Sequence, residues 1–426
     1  MGDLTPAARA VVTMARCDVI AGFSTEAGRI TRPFGTPALV QARNAIAEWM
    51  EQGGLSTRVD AVGTLRGVYP ASASQRDRKL LIGSHIDSVR DAGRYDGVLG
   101  VLLALAAVEG LGEDRRLPFP VEIVAFPDEE GLRFQTTYLG SAALAGTFDP
   151  SWLDLLDDDG LTLREAITQC GGDPTRIAGT KLMPGEAFAY LEAHIEQGPR
   201  LEAAGLALGA VTAISGQTRV NVGFKGVAGH AGTVPMSLRH DPAPAAAEIV
   251  LAAERLARQT PELLATVGRI ATEPGASNVI PGSVALTLDI RHPLDDARTR
   301  AVETLHAAAA QSAQSRGLEL IWRIMRDHPA TPCDASLTRV IERAASSAMG
   351  KAAPALPSGA GHDAVTMADA VPVGMMFLRC QGGISHNPAE SVDVDDVAAA
   401  ILALDGILDQ LASQAAGDQP HEDQTR

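Results

Sequence analysis

Basic charge is scarce in this chain: 36 lysines and arginines stand against 52 aspartates and glutamates in 426 residues, a formal net charge of −16 at pH 7. Binding a phosphate backbone needs a basic face, so this balance argues against nucleic acid as a partner. A small anion, which one arginine can hold, remains open. Cysteine is scarce too. Cys17, Cys170, Cys333 and Cys380 are scattered without a CxxC pair, which argues against a disulfide framework or a thiolate zinc site and fits reduced thiols. No apolar run reaches the roughly 20 residues that cross a bilayer. Residues 1–19 lack the basic region, apolar stretch and small-residue cleavage site of a secretory leader, so a cytoplasmic protein is expected. Also missing are an HExxH helix, a GxSxG elbow and a GxGxxG turn, which disfavours the serine-hydrolase and dinucleotide-enzyme templates. There is no internal repeat and no low-complexity linker.

What is present is globular. A hydrophobic share of 46% beside 21% charged residues is ordinary for a folded protein, and the length leaves room for two or three domains. The chemistry concentrates in KLLIGSHIDSVRDAGRYDG. Residues 79–82 read as a buried strand broken by Gly83 and Ser84, which puts His85 and Asp87 at its carboxyl end. Asp96 then precedes a continuous apolar helical run over 97–111, at the positive end of its dipole. A second apolar strand, VEIVAF, ends in Pro127, Asp128, Glu129, Glu130 and Gly131. Such a triplet fits a solvated acidic turn, but adjacent carboxylates at a strand end also signal a nearby cation.

Residues 36–53 read as an amphipathic helix, and 58–65 and 79–83 as strands. Strand, helix and strand alternate here, which predicts a largely parallel sheet covered by helices. Residues 187–194 lead into HIEQG and His194, which taken alone fits a satisfied core histidine equally well. From about residue 211 the pattern changes to VTAISGQTRVNVGFKGVAGHAG, with His230 on a glycine-punctuated turn. Helices over 242–259 and 295–316 and a strand over 283–290 complete that stretch. The expectation is an α/β protein: a mixed, largely parallel sheet in a catalytic domain over 1–212 and 331–413, and an inserted α+β lid or dimerisation domain over 213–330. The inserted sheet is expected to be antiparallel, with both helices on one face and a face or edge left for another subunit. In the returning part a glycine-rich turn, SGAGHD, a strand, VGMMFLRC, and His386 in GGISHNPAE precede a final helix over 393–411. A disordered tail is expected over 414–426.

His85, Asp96, Glu130, His194 and His386 make a nitrogen and oxygen donor set. Five such donors exceed one tetrahedral zinc and suit two divalent ions sharing a carboxylate, with zinc or manganese favoured by the donor types.

The segments GSHIDS, AGRYDGVLGV, FPDEEGLRF, EAHIEQG, GHAGT and GGISHNPAE occur in that order. In this the chain resembles the amidohydrolases of the dinuclear metallopeptidase superfamily, a group that includes allantoate amidohydrolases, N-carbamoyl-L-amino-acid hydrolases and β-ureidopropionases, over roughly residues 20–410. FPDEEGLRFQTTYLGSAALAG and SGAGHDAVTMAD are most similar to the allantoate enzymes. The resemblance implies that His85 and His194 bind one metal, that Glu130 and His386 bind the other, and that Asp96 bridges them, with two Mn2+ or Zn2+ ions per subunit. Asp87 matches the carboxylate that orients a ligating imidazole, and Glu129 matches the general base. His230, Asn278 and Arg291 match substrate-contacting positions that can reach a neighbouring subunit's site, so a homodimer is implied. Arg291 would pair with the substrate carboxylate, while Gln197, Gly359 and Ala360 would line another wall. Arg291 taken alone fits a strand-end salt bridge. The implied reaction cleaves the ureido C–N bond of allantoate to give ureidoglycine, ammonia and carbon dioxide. An N-carbamoyl-L-amino acid is the alternative substrate. A non-catalytic metal-bound protein would have no need of Glu129.

Overall fold

The computed structural model describes residues 4–72, 78–112 and 116–417, which group into two units. The first comprises Met1–Thr212, Cys333–Leu356 and His362–Arg426, and the second Ala213–Pro332 and Pro357–Gly361.

The sheet of the first unit is built from β1 (Ser56–Val59), β2 (Leu65–Tyr69), β3 (Lys79–His85), β4 (Val121–Phe126), β5 (Ala187–Ile195), β6 (Leu208–Ile214) and β7 (Val373–Leu378). In space they run β1-β2-β4-β3-β5-β7-β6. The central pairs β4-β3, β3-β5 and β5-β7 are parallel, whereas β1-β2, β2-β4 and β7-β6 are antiparallel. Central parallel strands are covered on both faces, which is why β4 and β7 read as unbroken buried runs. The acid within β4, Glu122, is 0% exposed and stands 2.7 Å from Arg66 Nε and 3.0 Å from Lys79 Nζ.

Residues 58–65 do not form the single strand expected of them. Asp60 Oδ1 accepts the backbone N–H groups of Val62, Gly63 and Thr64 at 2.9–3.1 Å, closing a turn that separates β1 from β2 and makes them a hairpin. An aspartate that bonds the backbone just ahead of it competes with the strand ladder, and here it wins.

Helix Val98–Leu111 has every residue except Gly110 buried. It packs on β3, β4 and β5 and against helices Pro6–Ala21 and Val394–Gly417, so an all-round apolar sequence is what its place requires. Its acid, Glu109, receives two bonds from Arg16 at 2.8 and 2.9 Å. The last helix continues past the expected end at Leu411 to Gly417, because Leu404, Ile407, Leu408, Leu411 and Ala415 carry one buried stripe that far. Residues 418–426 of the expected disordered tail lie outside the described residues.

In the second unit four strands are ordered Glu319–His328, Gly216–Lys225, Ser283–His292 and Leu264–Glu273, all antiparallel. Val220, Val222, Phe224, Leu286, Leu288 and Ile290 point to the face packed by helices Pro242–Gln259 and Asp295–Arg316. The strands Leu264–Glu273 and Glu319–His328 are largely exposed; alternate residues Ala265 and Val267 of the first and Leu320 and Trp322 of the second pack on that core, and the remainder of each strand does not keep up the alternation of the inner pair. Two segments depart from the expected first-domain return over 331–413: Thr331–Pro332 and Pro357–Gly361 group with the second unit. Hydrogen bonds explain the second of these, since Ser215 N–H donates to Ser358 O at 2.9 Å and the Arg291 side chain donates from Nη1 to Gly359 O at 2.6 Å. Among the described residues no helix is long and apolar enough to cross a membrane.

Candidate metal centre

Strand ends of the first unit bring the expected donors together. His85 closes β3, Glu129 and Glu130 follow β4, His194 lies near the end of β5, and His386 sits beyond the end of β7. Asp96 precedes the buried helix. Between them Gly97 adopts φ 67°, and a Cβ there would lie 2.4 Å from the His85 ring, so the close approach of helix and imidazole needs a glycine.

The geometry converges on Asp96. Its Oδ1 lies 3.2 Å from His194 Nε2 and 3.9 Å from His85 Nε2, and its Oδ2 lies 3.2 Å from His386 Nε2. His386 Nε2 is also 3.2 Å from Glu130 Oε1. The two Nε2 atoms of His85 and His194 face each other at 3.4 Å. His194 Nδ1 lies 2.9 Å from Ile195 O; the proton therefore sits on Nδ1 and the Nε2 lone pair points into the site. His85 Nδ1 faces Asp87 Oδ1 at 3.3 Å, which favours the same tautomer.

Two imidazole lone pairs and the Asp96 and Glu130 carboxylates aimed at one small volume repel unless a cation lies among them. The donor types are those of zinc and manganese, so the residues fit a divalent metal. Two overlapping triads, His85, Asp96 and His194 on one side and Asp96, Glu130 and His386 on the other, could each hold an ion. The electrostatics agree. His386 is raised to about 10 by its hydrogen bonds to Asp96 and Glu130, so a proton supplies the positive charge that the site attracts. Burial pushes His194 down to about 4, leaving it neutral and able to ligate. Burial, then the neighbouring Glu130 charge, holds Glu129 well above the carboxylate range.

Asp87 is the pivot beneath these groups. Its Oδ1 accepts Glu129 N–H at 3.0 Å and its Oδ2 accepts Glu130 N–H at 3.2 Å, so one carboxylate ties the end of β3 to the turn after β4. Gln197, expected to line the pocket wall, donates from Nε2 to both Asp96 oxygens at 3.1 and 3.2 Å. A further trio, Glu192, His194 and His362, also clusters. Glu192 is already committed, however, accepting Ser84 Oγ at 2.8 Å and Ala364 N–H at 3.0 Å, so it serves as a structural brace.

His230, Asn278, Arg291, Gly359 and Ala360 belong to the second unit. A short antiparallel pair sets His230 opposite Val279, and Ala231 N–H donates to Asn278 O at 3.0 Å, so His230 and Asn278 are neighbours. His230 Nδ1 accepts Gly232 N–H at 3.1 Å, which turns Nε2 outward. Arg291 is held by Asp289 at 2.8 and 3.2 Å and by Gly359 O, the strand-end ion pair that its position also allowed. Ala360 N–H donates to Ser358 Oγ at 3.1 Å within the glycine turn.

Sequence reasoning did not single out Arg32, Ser385 or Glu390. Arg32 is buried and donates from Nε to Ile86 O at 2.6 Å, pinning the backbone between His85 and Asp87. It stands far from the histidine in the sequence, and no local pattern marks it. Ser385 and Glu390 flank His386 within GGISHNPAE, a segment that reads as a polar turn.

Residues 81–410 match the profile of peptidase family M20/M25/M40. The chain is 43% identical over 437 residues to a probable allantoate deiminase of Oryza sativa subsp. japonica, covering 95% of this chain and 89% of that protein. It is 39% identical over 386 residues to an N-carbamoyl-L-amino acid amidohydrolase of Geobacillus stearothermophilus, covering 90% and 94% respectively. A crystal structure of an amidase of the hydantoinase/carbamoylase family from Burkholderia multivorans superposes with a TM-score of 0.88 at 30% identity, covering 94% of this chain and 97% of that one.

Proposed function

We propose that this chain, which belongs to peptidase family M20/M25/M40 and is an amidohydrolase acting on carbon–nitrogen bonds other than peptide bonds, cleaves the ureido group of allantoate with two divalent cations, Mn2+ or Zn2+. One water is consumed, and ureidoglycine, ammonia and carbon dioxide leave. The observation that carries the reading is the convergence of His85, Asp96, Glu130, His194 and His386 with Glu129 beside them. The 43% identity to the probable allantoate deiminase of Oryza sativa subsp. japonica supports the choice of substrate.

His85 and His194 would hold one cation, Glu130 and His386 the other, and Asp96 both. Bound there, divalent cations supply positive charge that acidifies water and polarises a carbonyl. The chain's own residues do the rest. Asp87 keeps the imidazole of His85 and the backbone of Glu129 and Glu130 in place. Glu129, buried beside the donors, takes the proton of the attacking water and returns it to the departing nitrogen. In the second unit the Arg291 guanidinium gives three of its N–H groups to Asp289 and Gly359, and its remaining donors suit a substrate carboxylate. His230 Nε2 and Asn278 would serve the substrate's polar groups. The reading includes a cytoplasmic homodimer, in which these residues act on a neighbouring subunit's substrate.

The second reading is an N-carbamoyl-L-amino-acid hydrolase, favoured by the Geobacillus relative. Both substrates present a ureido group and a carboxylate, and they differ in that allantoate carries a second ureido group where a carbamoyl amino acid carries a side chain. The deciding experiment is ammonia release by metal-stripped protein reloaded with Mn2+ or Zn2+ and offered allantoate and a panel of N-carbamoyl-L-amino acids. Selective turnover of allantoate is expected. Preference for a carbamoyl amino acid would replace the substrate and keep the mechanism, and silence with every substrate at full metal loading would return the chain to a binding role.

A further inference from the structure

Asp96 and His386 come from distant parts of the sequence, and one buried side chain joins them. Glu390, 4% exposed, follows His386 on the same turn. Its Oε1 accepts Tyr95 N–H at 2.8 Å and Asp96 N–H at 3.2 Å. Its Oε2 accepts the Ser385 hydroxyl at 3.0 Å, and that hydroxyl lies 3.3 Å from Asp96 Oδ2. Donors from two separate loops therefore meet on a single carboxylate.

Both loops are shaped for this meeting. A Cβ on Gly93 would stand 2.2 Å from the Glu390 carboxyl, so the loop before Asp96 closes over that group only with glycine there. His386 itself holds φ 55°, a left-handed conformation that costs a non-glycine residue about 1 kcal/mol or more and persists where its surroundings impose it. Glu390 N–H bonded to Asn387 O at 3.0 Å and Ala389 N–H bonded to Asn387 Oδ1 at 2.9 Å close that turn.

The choice of an acid also calls for explanation. The Asp96 carboxylate already lies close by, and a second negative charge repels it. A neutral glutamine could accept the same two amides without that penalty. An acid is the better choice where cationic charge is bound next to Asp96, because it then adds attraction as well as hydrogen bonds.

We propose that Glu390, acting through Ser385 and the amides of Tyr95 and Asp96, is a positioning residue that sets the Asp96 carboxylate against His386 and so couples the two cation positions. The inference rests on the metal-dependent reading above. It assigns Glu390 no contact with substrate.

The test is calorimetric titration of the metal-stripped full-length protein with Mn2+ and, separately, Zn2+, without substrate, alongside thermal melting of each metal-free variant. Glu390→Ala should weaken metal binding about 10- to 100-fold, the usual loss when a group orienting a ligand is removed. Ser385→Ala, which breaks one link, should weaken it about three- to tenfold. Glu390→Gln retains an acceptor for both amides and should recover most of the affinity lost in the alanine variant. A merely structural role gives the opposite pattern: a lower melting temperature for metal-free Glu390→Ala with metal affinity and stoichiometry unchanged, which would overturn the proposal. Should Glu390→Ala fail to fold, wild-type affinity in Ser385→Ala would overturn it equally. Wild-type protein that binds neither ion would instead overturn the metal-dependent reading itself, and the positioning role with it.

Discussion

Glu129 is the residue on which the proposed chemistry turns. Its backbone N–H is anchored to Asp87, and its side chain is buried beside Glu130 and His85, where burial first and Glu130 second raise its affinity for a proton; divalent charge held by the neighbouring donors would favour the ionised form that the base role needs. Glu129→Gln preserves the shape and the anchoring bond and removes only the ability to take up and release a proton. Turnover should fall by at least about 10²- to 10⁴-fold while metal content, measured by mass spectrometry, stays at the wild-type level. Parallel loss of metal would make Glu129 a ligand instead. Glu122 serves stability. Burial opposes its charge, but Arg66 and Lys79 outweigh that and hold its pKa below the ordinary value. A depressed pKa contributes stability that is present above the unfolded-state value of about 4.5 and fades as pH falls through the folded value. Denaturant titrations should show Glu122→Gln losing about 3–5 kcal/mol at pH 7, with a smaller fall in stability than wild type on acidification below about 4.5. An acid limb identical to that of wild type would show that Glu122 is not the group being titrated. Residue by residue, the donors were legible because histidines and acids ending apolar runs are conspicuous. Arg32 and Glu390 were not, since their partners come from remote loops that only folding brings near.

At the scale of elements, the site depends on where strands stop and where one helix begins. Helix Val98–Leu111 packs against β3 so closely that Gly97 abuts the His85 ring. Gly97→Ala combines a disfavoured left-handed backbone with a clash against that ring, so one of the two must move. Stability should drop by more than about 1 kcal/mol and metal affinity should fall with it, read by melting temperature and by titration of the stripped protein. Unchanged affinity would mean that the ring can turn aside without cost. Periodicity revealed the buried strands and this helix because each is apolar along its whole length. It failed at residues 58–65, where the Asp60 side chain bonds the backbone of the following residues and closes a turn that apolar pattern does not register. The two outer strands of the second unit escaped for a related reason: they are largely exposed, and their apolar alternation, at Ala265 and Val267 and at Leu320 and Trp322, is too short to stand out.

At the scale of the whole molecule, all the proposed metal ligands lie in the first unit. A ligand that binds only the folded form stabilises it by about 2.7 kcal/mol at a free concentration of 100 Kd. Chelation should therefore lower the melting of the first unit and leave the second unit's transition where it was, with differential scanning calorimetry resolving the two. A single transition that moves as one would show that the units unfold cooperatively. What the sequence by itself determined was the family, through motifs in a fixed order, and a set of candidate donors, because strand ends, side-chain types and the lack of a CxxC pair are local properties that survive in a linear string. Tertiary structure alone decided that Asp96 is the point of convergence, that Gln197 leans on it, that Pro357–Gly361 joins the second unit, and that Glu390 spans two loops. Each of these depends on distances between segments remote in the chain, and such distances are set by packing and backbone hydrogen bonds that no local pattern encodes.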